Sequence, residues 1–238
     1  MIKKQALIFG VTGSLGSAIA KQLSEQYHVT GIARNPAVNK PHYLYHQIKS
    51  DFSESSLSTI SQSLHNHTKT FDLIINTIGI LHNSTLKPEK RLGDLSSASL
   101  SQYLEANTII PGLLLKYFYG LMPRQAPSVF ATLSAKVGSI EDNRLGGWYG
   151  YRASKAALNM LIKTAAIEIA RTHKQAAIVA IHPGTTISPL SAPYTRKTPE
   201  DKLYTPQLSA ERIIQVLTHL KATDTGCFFN WSGEKLPW

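Results

Sequence analysis

The sequence predicts an α/β protein: one domain built on a doubly wound parallel sheet of about seven strands, with helices on both faces. Three observations carry that prediction. Short apolar runs alternate with long helical segments along 238 residues, the order that builds a parallel sheet from crossover units. The run Phe71-Asp72-Leu73-Ile74-Ile75-Asn76-Thr77 is nearly continuous in apolar character, as a strand covered on both faces must be. The first apolar run opens directly into Gly10-Val11-Thr12-Gly13-Ser14-Leu15-Gly16, a tight glycine turn ahead of an amphipathic segment.

Each element follows in order. Residues 6–9 read as the first strand and residues 18–23 as the first helix. Between them, the glycine turn lets backbone approach a pyrophosphate closely and aims helix N-terminal N–H groups at it. Its spacing is G-x-x-G-x-x-G, which departs from the usual G-x-G-x-x-G fingerprint. Residues 28–34 form the second strand, and residues 43–48 the third, ending near Asp51. Residues 53–67, with capping serines and helical leucines, form a helix, and residues 71–77 the fourth strand. Two long helices, 99–121 and 149–172, flank a fifth strand at 128–134. A sixth strand at 176–182, a helix near 209–220 and a short strand at 227–230 complete the series. No internal repeat, low-complexity tract or linker divides residues 1–238.

Composition narrows the function classes. Hydrophobic residues make up 42% and charged residues 17%, the balance of an ordinary globular protein rather than a disordered one. No segment has signal-peptide character, and no run reaches the ~18 apolar residues of a membrane span, so a cytoplasmic protein without a membrane partner is expected. Cys227 is the one cysteine; it excludes an internal disulfide and reads as a buried strand residue. The formal charge of +10 raises the question of nucleic acid. Basic residues come in pairs at most, Lys3-Lys4, Lys90-Arg91 and Arg196-Lys197, with no basic run and no aromatic interleaving, which speaks against that partner. His65 and His67 lack an acidic or thiol set and read as solvated, so no metal site is expected.

In open parallel sheets, ligands bind outside the carboxyl ends of the strands. Those ends fall at Gly10, Arg34, Asp51, residues 76–79, Ser134 and residues 183–184, and each carries glycine or a polar residue. Tyr151 and Lys155 stand four residues apart at the start of a long apolar helix, hence on one helical face. A phenol titrates near ~10 in water, so proton transfer by Tyr151 near neutrality calls for a fixed cation that favours the phenolate. Lys155 suits that role, while the spacing by itself also suits a solvated helix start.

Taken in order, the glycine turn, Asp51, Asn76-Thr77-Ile78-Gly79, Asn107, Ser134, Tyr151 with Lys155, and Pro183-Gly184 resemble the short-chain dehydrogenase/reductase family over essentially the whole chain. The block Gly146-Gly147-Trp148-Tyr149-Gly150-Tyr151-Arg152-Ala153-Ser154-Lys155-Ala156-Ala157-Leu158-Asn159-Met160 resembles the C-factor-like subgroup, named for a bacterial cell-to-cell signalling protein. The closing Gly233-Glu234-Lys235-Leu236-Pro237-Trp238 resembles it too. The resemblance implies a Rossmann-type fold and hydride transfer between a nicotinamide cofactor and a carbonyl or secondary alcohol. It implies Tyr151 as general acid or base. Lys155 would lower its pKa and hold the nicotinamide ribose hydroxyls, Ser134 would hydrogen-bond the substrate oxygen, and Asn107 would complete a tetrad. Gly10, Thr12, Gly13, Ser14, Leu15 and Gly16 would form the cofactor turn. Asp51 would sit at the adenine edge, Asn76 and Gly79 beneath the adenosine ribose, and Pro183, Thr185 and Ser188 toward the nicotinamide. A second reading is a nucleotide-binding signalling or scaffold protein of the C-factor type with little catalysis.

Several finer expectations follow. Arg34 after the second strand, with Asn35 beside it and no acid close by, favours NADP over NAD, because an Arg there accommodates a 2′-phosphate. Seventeen positions separate Ser134 from Tyr151, a few more than the family's usual interval; the extra residues, Glu141-Asp142-Asn143-Arg144, form an outward bulge. Pro111 lies four residues after Asn107 and lacks the N–H that would engage its carbonyl. In the family that carbonyl holds a water linking the lysine to solvent. Both long helices are apolar nearly all round, beyond the stripe a sheet requires, so a homo-oligomer, dimer or tetramer, is expected. The loop at about 188–207, with Leu190, Tyr194 and Leu203, walls the substrate side. His182 at a strand end is a further candidate contact.

Overall fold

A computed structural model describes residues 3–67, 70–196 and 198–238; Lys197, part of one predicted basic pair and of the substrate loop, lies outside them. Strand β1 (Lys4–Phe9) and strand β2 (Tyr27–Ala33) run parallel on either side of helix α1 (Ser14–Leu23) in sequence. They are followed by β3 (His46–Lys49), α2 (Glu54–His67), β4 (Leu73–Asn76), α3 (Ser97–Leu104) and α4 (Ile110–Phe118). The order continues with β5 (Ser128–Leu133), α5 (Tyr149–Ile169), β6 (Ala176–His182), β7 (Thr185–Thr186), β8 (Leu203–Tyr204), α6 (Pro206–His219) and β9 (Phe228–Asn230). Seven strands form one parallel sheet, as predicted, and their order is β3-β2-β1-β4-β5-β6-β9. The chain winds outward from β1 in one direction and from β4 in the other, which opens a crevice between their carboxyl ends.

The period-2 alternation of each strand sorts side chains into two cores. Ala6 and Ile8 face one side with Val29, Ile75, Val179 and Ile213, packed under α1 and α6. Leu7 and Phe9 face the other with Ile74, Phe130, Leu158 and Ile162, packed under α2, α4 and α5. Each fully buried side chain of this size contributes about 1.5–3 kcal/mol, so the sheet is clamped from both faces.

Several boundaries differ from the sequence reading. The third strand is four residues, His46–Lys49, because Tyr43 turns inward before it and the Tyr45 N–H reaches the Val29 carbonyl outside the ladder. Cys227 is half-buried and immediately precedes β9 rather than lying in a strand. The helix predicted at 99–121 is interrupted: between α3 and α4 the residues Glu105–Ile109 take a π-turn, with the Ile110 N–H bonded to the Glu105 carbonyl. Pro111, lacking an N–H and crowding the carbonyl four residues back, forces this widening. The turn rotates Asn107 and Thr108 inward, where both are buried.

The loop between β6 and α6 holds a small parallel pair, β7 with β8, which the sequence did not signal because each strand is two residues long. Residues 187–196 and 198–202 form an arch between the two strands. Behind β8 the Arg212 guanidinium carbon lies 4.3 Å from the Tyr204 ring centroid and 4.2 Å from that of Trp231. This sandwich fastens the root of the arch to α6 and to the chain after β9.

Candidate functional site

The crevice at the carboxyl ends of β1 and β4 continues into a cavity of about 690 Å³. Its floor at one end is the glycine turn. Gly10 has a φ of 79°, a left-handed conformation that only glycine takes without strain, and a side chain at Gly16 would run into the Gly10 carbonyl. Gly13 caps α1 without a side chain, and the helix has no acid in its first turn. Its N-terminal N–H groups and partial positive charge therefore suit an anion such as a pyrophosphate.

Of the residues singled out from sequence, Thr12, Gly13, Ser14, Leu15, Gly16, Gly79, Ser134, Tyr151, Lys155, Pro183, Thr185 and Ser188 all line this cavity. Gly10, Arg34, Asp51, Asn76 and Asn107 do not. Gly10 supports the turn from below. Arg34 and Asp51 are exposed beyond the end of β2 and β3, with the Arg34 guanidinium carbon 5.9 Å from the Phe52 ring centroid. The Ser53 backbone N–H and hydroxyl hold the Asp51 carboxyl below its ordinary range. Asn76 is fully buried, its Oδ1 accepting the Ile78 N–H at 2.9 Å, so it shapes the turn after β4 rather than opening onto the cavity.

Asn107, expected on a helix beside the lysine, is wholly buried and acts through its side chain. Its Oδ1 accepts the Ile80 N–H at 2.8 Å, and its Nδ2 donates to the Ile80 carbonyl at 3.0 Å and to Ser154 Oγ at 3.1 Å. Ser154 Oγ in turn donates to the Tyr151 carbonyl at 2.8 Å, and Thr108 Oγ1 donates to the Ser154 carbonyl at 2.8 Å. The π-turn thus sews the loop after β4 to the first turns of α5.

On α5, Tyr151 and Lys155 are both buried, at 8% and 4% exposure. Lys155 Nζ donates to the Leu133 carbonyl at 3.1 Å and lies 6.0 Å from the Tyr151 ring centroid. Burial pushes the Tyr151 phenol up to about 12 and draws the Lys155 ammonium down to about 8. Desolvation is the cause of both shifts.

Ser134 Oγ donates to Asn159 Oδ1 at 2.7 Å, while Asn159 Nδ2 is buried without a partner among the described residues. Asn159 stands eight residues after Tyr151, which returns it toward the same helical face, and that period is the signal the sequence carries for it. His182 lines the cavity, and burial, with help from Lys136, draws its imidazole down to about 4, so it is neutral at pH 7.

The segment before α5 was read only as a motif block, and it proves to be built with unusual backbone. Gly146, Gly147 and Trp148 have φ of 63°, 64° and 54° in succession. For a bulky residue such as Trp that conformation costs about 1–3 kcal/mol and persists only where its surroundings over-determine it. Here the Trp148 N–H donates to the Glu89 carbonyl at 2.6 Å and the Gly150 N–H to Glu89 Oε2 at 3.0 Å. Arg152 donates to the carbonyls of Gly147, Gly146 and Val137 at 2.9, 3.2 and 3.2 Å. The residues after Ser134 bulge outward, as expected: residues 140–146 are exposed, and Lys136 pairs with Asp142 at 3.4 Å.

The far wall comes from the arch. Leu190 and Tyr194 line the cavity, whereas Leu203 does not. His82 Nε2 lies 3.0 Å from the Pro189 carbonyl, and the Tyr194 ring meets His82 and Trp148 at centroid distances of 5.6 and 5.3 Å. Among the described residues no helix is long and apolar enough to cross a membrane, and no cluster of His, Cys, Asp or Glu has metal-binding form.

Comparison with known proteins places this geometry in a family. The profile described as short chain dehydrogenase matches residues 4–199. An uncharacterized oxidoreductase of Schizosaccharomyces pombe, C663.09c, is 28% identical over 145 residues, covering 57% of this chain and 56% of the relative. C-signal of Myxococcus xanthus is 26% identical over 147 residues, covering 62% and 83%. The crystal structure of an NADPH-bound carbonyl reductase from chicken fatty liver superimposes with a TM-score of 0.82 at 22% identity, covering all of both chains. The matched span takes in the glycine turn, Ser134, Tyr151, Lys155 and the residues after β6: the chain belongs to the short-chain dehydrogenase family.

Proposed function

We propose that this protein is an NADP-dependent oxidoreductase acting on a carbonyl or secondary alcohol, with residues 1–238 as one catalytic domain and residues 188–207 as its substrate loop. One observation carries the reading. Tyr151 and Lys155 are buried side by side on a single cavity that also receives Ser134 and the glycine turn. The nicotinamide cofactor, when bound, supplies or accepts the hydride. Thr12, Gly13, Ser14, Leu15 and Gly16 would hold its pyrophosphate, Gly79 would support its adenosine ribose, and Pro183, Thr185 and Ser188 would serve its nicotinamide side. Arg34, exposed beyond β2, would accommodate a 2′-phosphate; the NADPH in the chicken carbonyl reductase is in keeping with that preference.

In the reductive direction Tyr151, protonated at neutral pH, gives its phenolic proton to the carbonyl oxygen as charge develops there, and in oxidation it takes that proton back. Ser134 steadies that oxygen. Turning the Asn159 amide end over end keeps the 2.7 Å contact with the amide as donor and frees the Ser134 hydroxyl hydrogen for the substrate. Lys155 keeps a positive charge beside the phenol, and Asn107 holds the loop and helix that carry them.

The likeness to C-signal favours a second reading, a signalling role of the C-factor type beside or instead of catalysis. A spectrophotometric assay with NADPH and NADH against a panel of ketones and aldehydes separates the two. Turnover that prefers NADPH and falls at least 10²-fold in Tyr151→Phe supports the enzyme; cofactor binding without turnover supports the alternative. Exposed Ile109 at the end of the π-turn and Met160, Leu161 and Ile167 on α5 support a homo-oligomer.

A further inference from the structure

The substrate end of the cavity is walled by rings. Trp148 meets Tyr194 at 5.3 Å and 70°, and meets Tyr151 at 6.1 Å and 75°. Both are edge-to-face arrangements of the kind aromatic groups prefer. Trp148 is half-buried and lines the cavity, as does Tyr194 from the arch opposite. The indole is placed there at a backbone cost. A left-handed tryptophan is retained at the head of α5, held by the Glu89 carbonyl at 2.6 Å and braced through Arg152, where glycine would adopt the same φ freely. Such strain at a cavity wall points to a side chain that is needed in that position.

The two aromatic rings themselves offer no charge. Of the nearby cations, the Arg152 guanidinium is spent on three backbone carbonyls, and Lys136, which also lines the cavity, is paired with Asp142. Lys155 is bonded to the Leu133 carbonyl. A carboxylate or phosphate laid against the rings would have to compete for these engaged groups, and burying it unpaired is costly.

We propose that Trp148 and Tyr194 form one continuous aromatic wall that selects a neutral carbonyl compound carrying a flat aryl group next to the reacting carbon. This rests on the carbonyl chemistry proposed above. The arch supplies one ring of the wall and the strained turn the other, so Arg152 and Glu89 are positioning residues for recognition.

The test compares acetophenone with cyclohexyl methyl ketone, which differs in ring flatness at similar size, and with benzoylformate, which adds a charge. The wild-type protein should prefer acetophenone in kcat/KM by roughly tenfold over each. Trp148→Gly, which removes the indole and relaxes the backbone, should bring the aryl-to-cyclohexyl ratio to about one, as should Tyr194→Leu. Tyr194→Leu decides the matter if Trp148→Gly does not fold. Quenching of indole fluorescence by 1-phenylethanol in the wild type, lost in Trp148→Gly, gives a readout independent of turnover. Turnover without an aryl preference, or a preference unchanged in the folded variants, overturns the aromatic wall as a selector and leaves the oxidoreductase reading intact. No turnover together with quenching overturns the oxidoreductase reading and keeps the aryl site. Neither turnover nor quenching overturns both.

Discussion

Lys155 carries its charge into a site where none of the ion pairs among the described residues reaches it. The unfolded chain keeps that proton up to about 10.5, the folded chain only to about 8. Stability therefore rises as pH climbs through this window, and the cost is fully present below it. Tyr151 acts oppositely: the folded phenol holds its proton to about 12 while the unfolded one releases it from 10.0, so stability falls as pH rises through that range. Lys155→Met should raise stability at pH 7 by about 2–3 kcal/mol, read as Tm or urea midpoint, while abolishing turnover. In the wild type, kcat/KM for reduction should fall above pH ~8 as the free enzyme loses this charge; a profile flat from pH 6 to 10 contradicts the assignment. Asn159 yields a second expectation. Asn159→Asp can only accept, so it pins the Ser134 hydroxyl hydrogen away from substrate, whereas Asn159→Leu leaves the hydroxyl free. The Asp variant should lose about 10²-fold in kcat, and the Leu variant should lose less. Tyr151, Lys155 and Ser134 were legible in the sequence because helical spacing and a strand end announce them. Trp148 was not, since no propensity anticipates a tryptophan at positive φ; only the preceding Gly146 and Gly147 hinted at an unusual turn.

The π-turn at Glu105–Ile109 is where the proline's missing N–H becomes site geometry. Pro111 was readable from sequence as an interruption, but the result, a widened turn rather than a bend, depends on α5 offering Ser154 as a partner for Asn107. Pro111→Ala restores a donor and lets the segment relax toward a regular helix, drawing Asn107 from the Ile80 bracket. Activity should fall about tenfold while the melting temperature changes little, because the loss of positioning is felt in kcat more than in core packing. The strands show the same contrast. Long apolar runs such as Leu73–Asn76 and Ala176–His182 identified themselves, being buried on both faces. The third strand at the sheet edge was misplaced by three residues at its start, and the β7 and β8 pair was invisible, because neither carries enough residues to show a period.

At the scale of the whole molecule, the parallel sheet with helices on both faces followed from alternation of strands and helices alone, while the order of its strands and the closing of the cavity by a distant segment did not. The apolar edge of α5 bears on assembly. Met160 and Ile167 are exposed at 66% and 58%, an expense in water that a partner copy would remove. Light scattering should report a dimer or tetramer, and Met160→Glu with Ile167→Glu should give a folded monomer. The arch over the cavity is attached unevenly. Its root is pinned by the β7 and β8 pair and by Arg212 between two rings, whereas its tip rests on the His82 contact with Pro189 and on ring edges. A flap fixed at one end and lightly latched at the other opens without disturbing the sheet, so each catalytic cycle can be timed by unlatching rather than by bond-making. Solvent viscosity, which slows such a motion, then becomes a brake on turnover, and loosening the latch releases it.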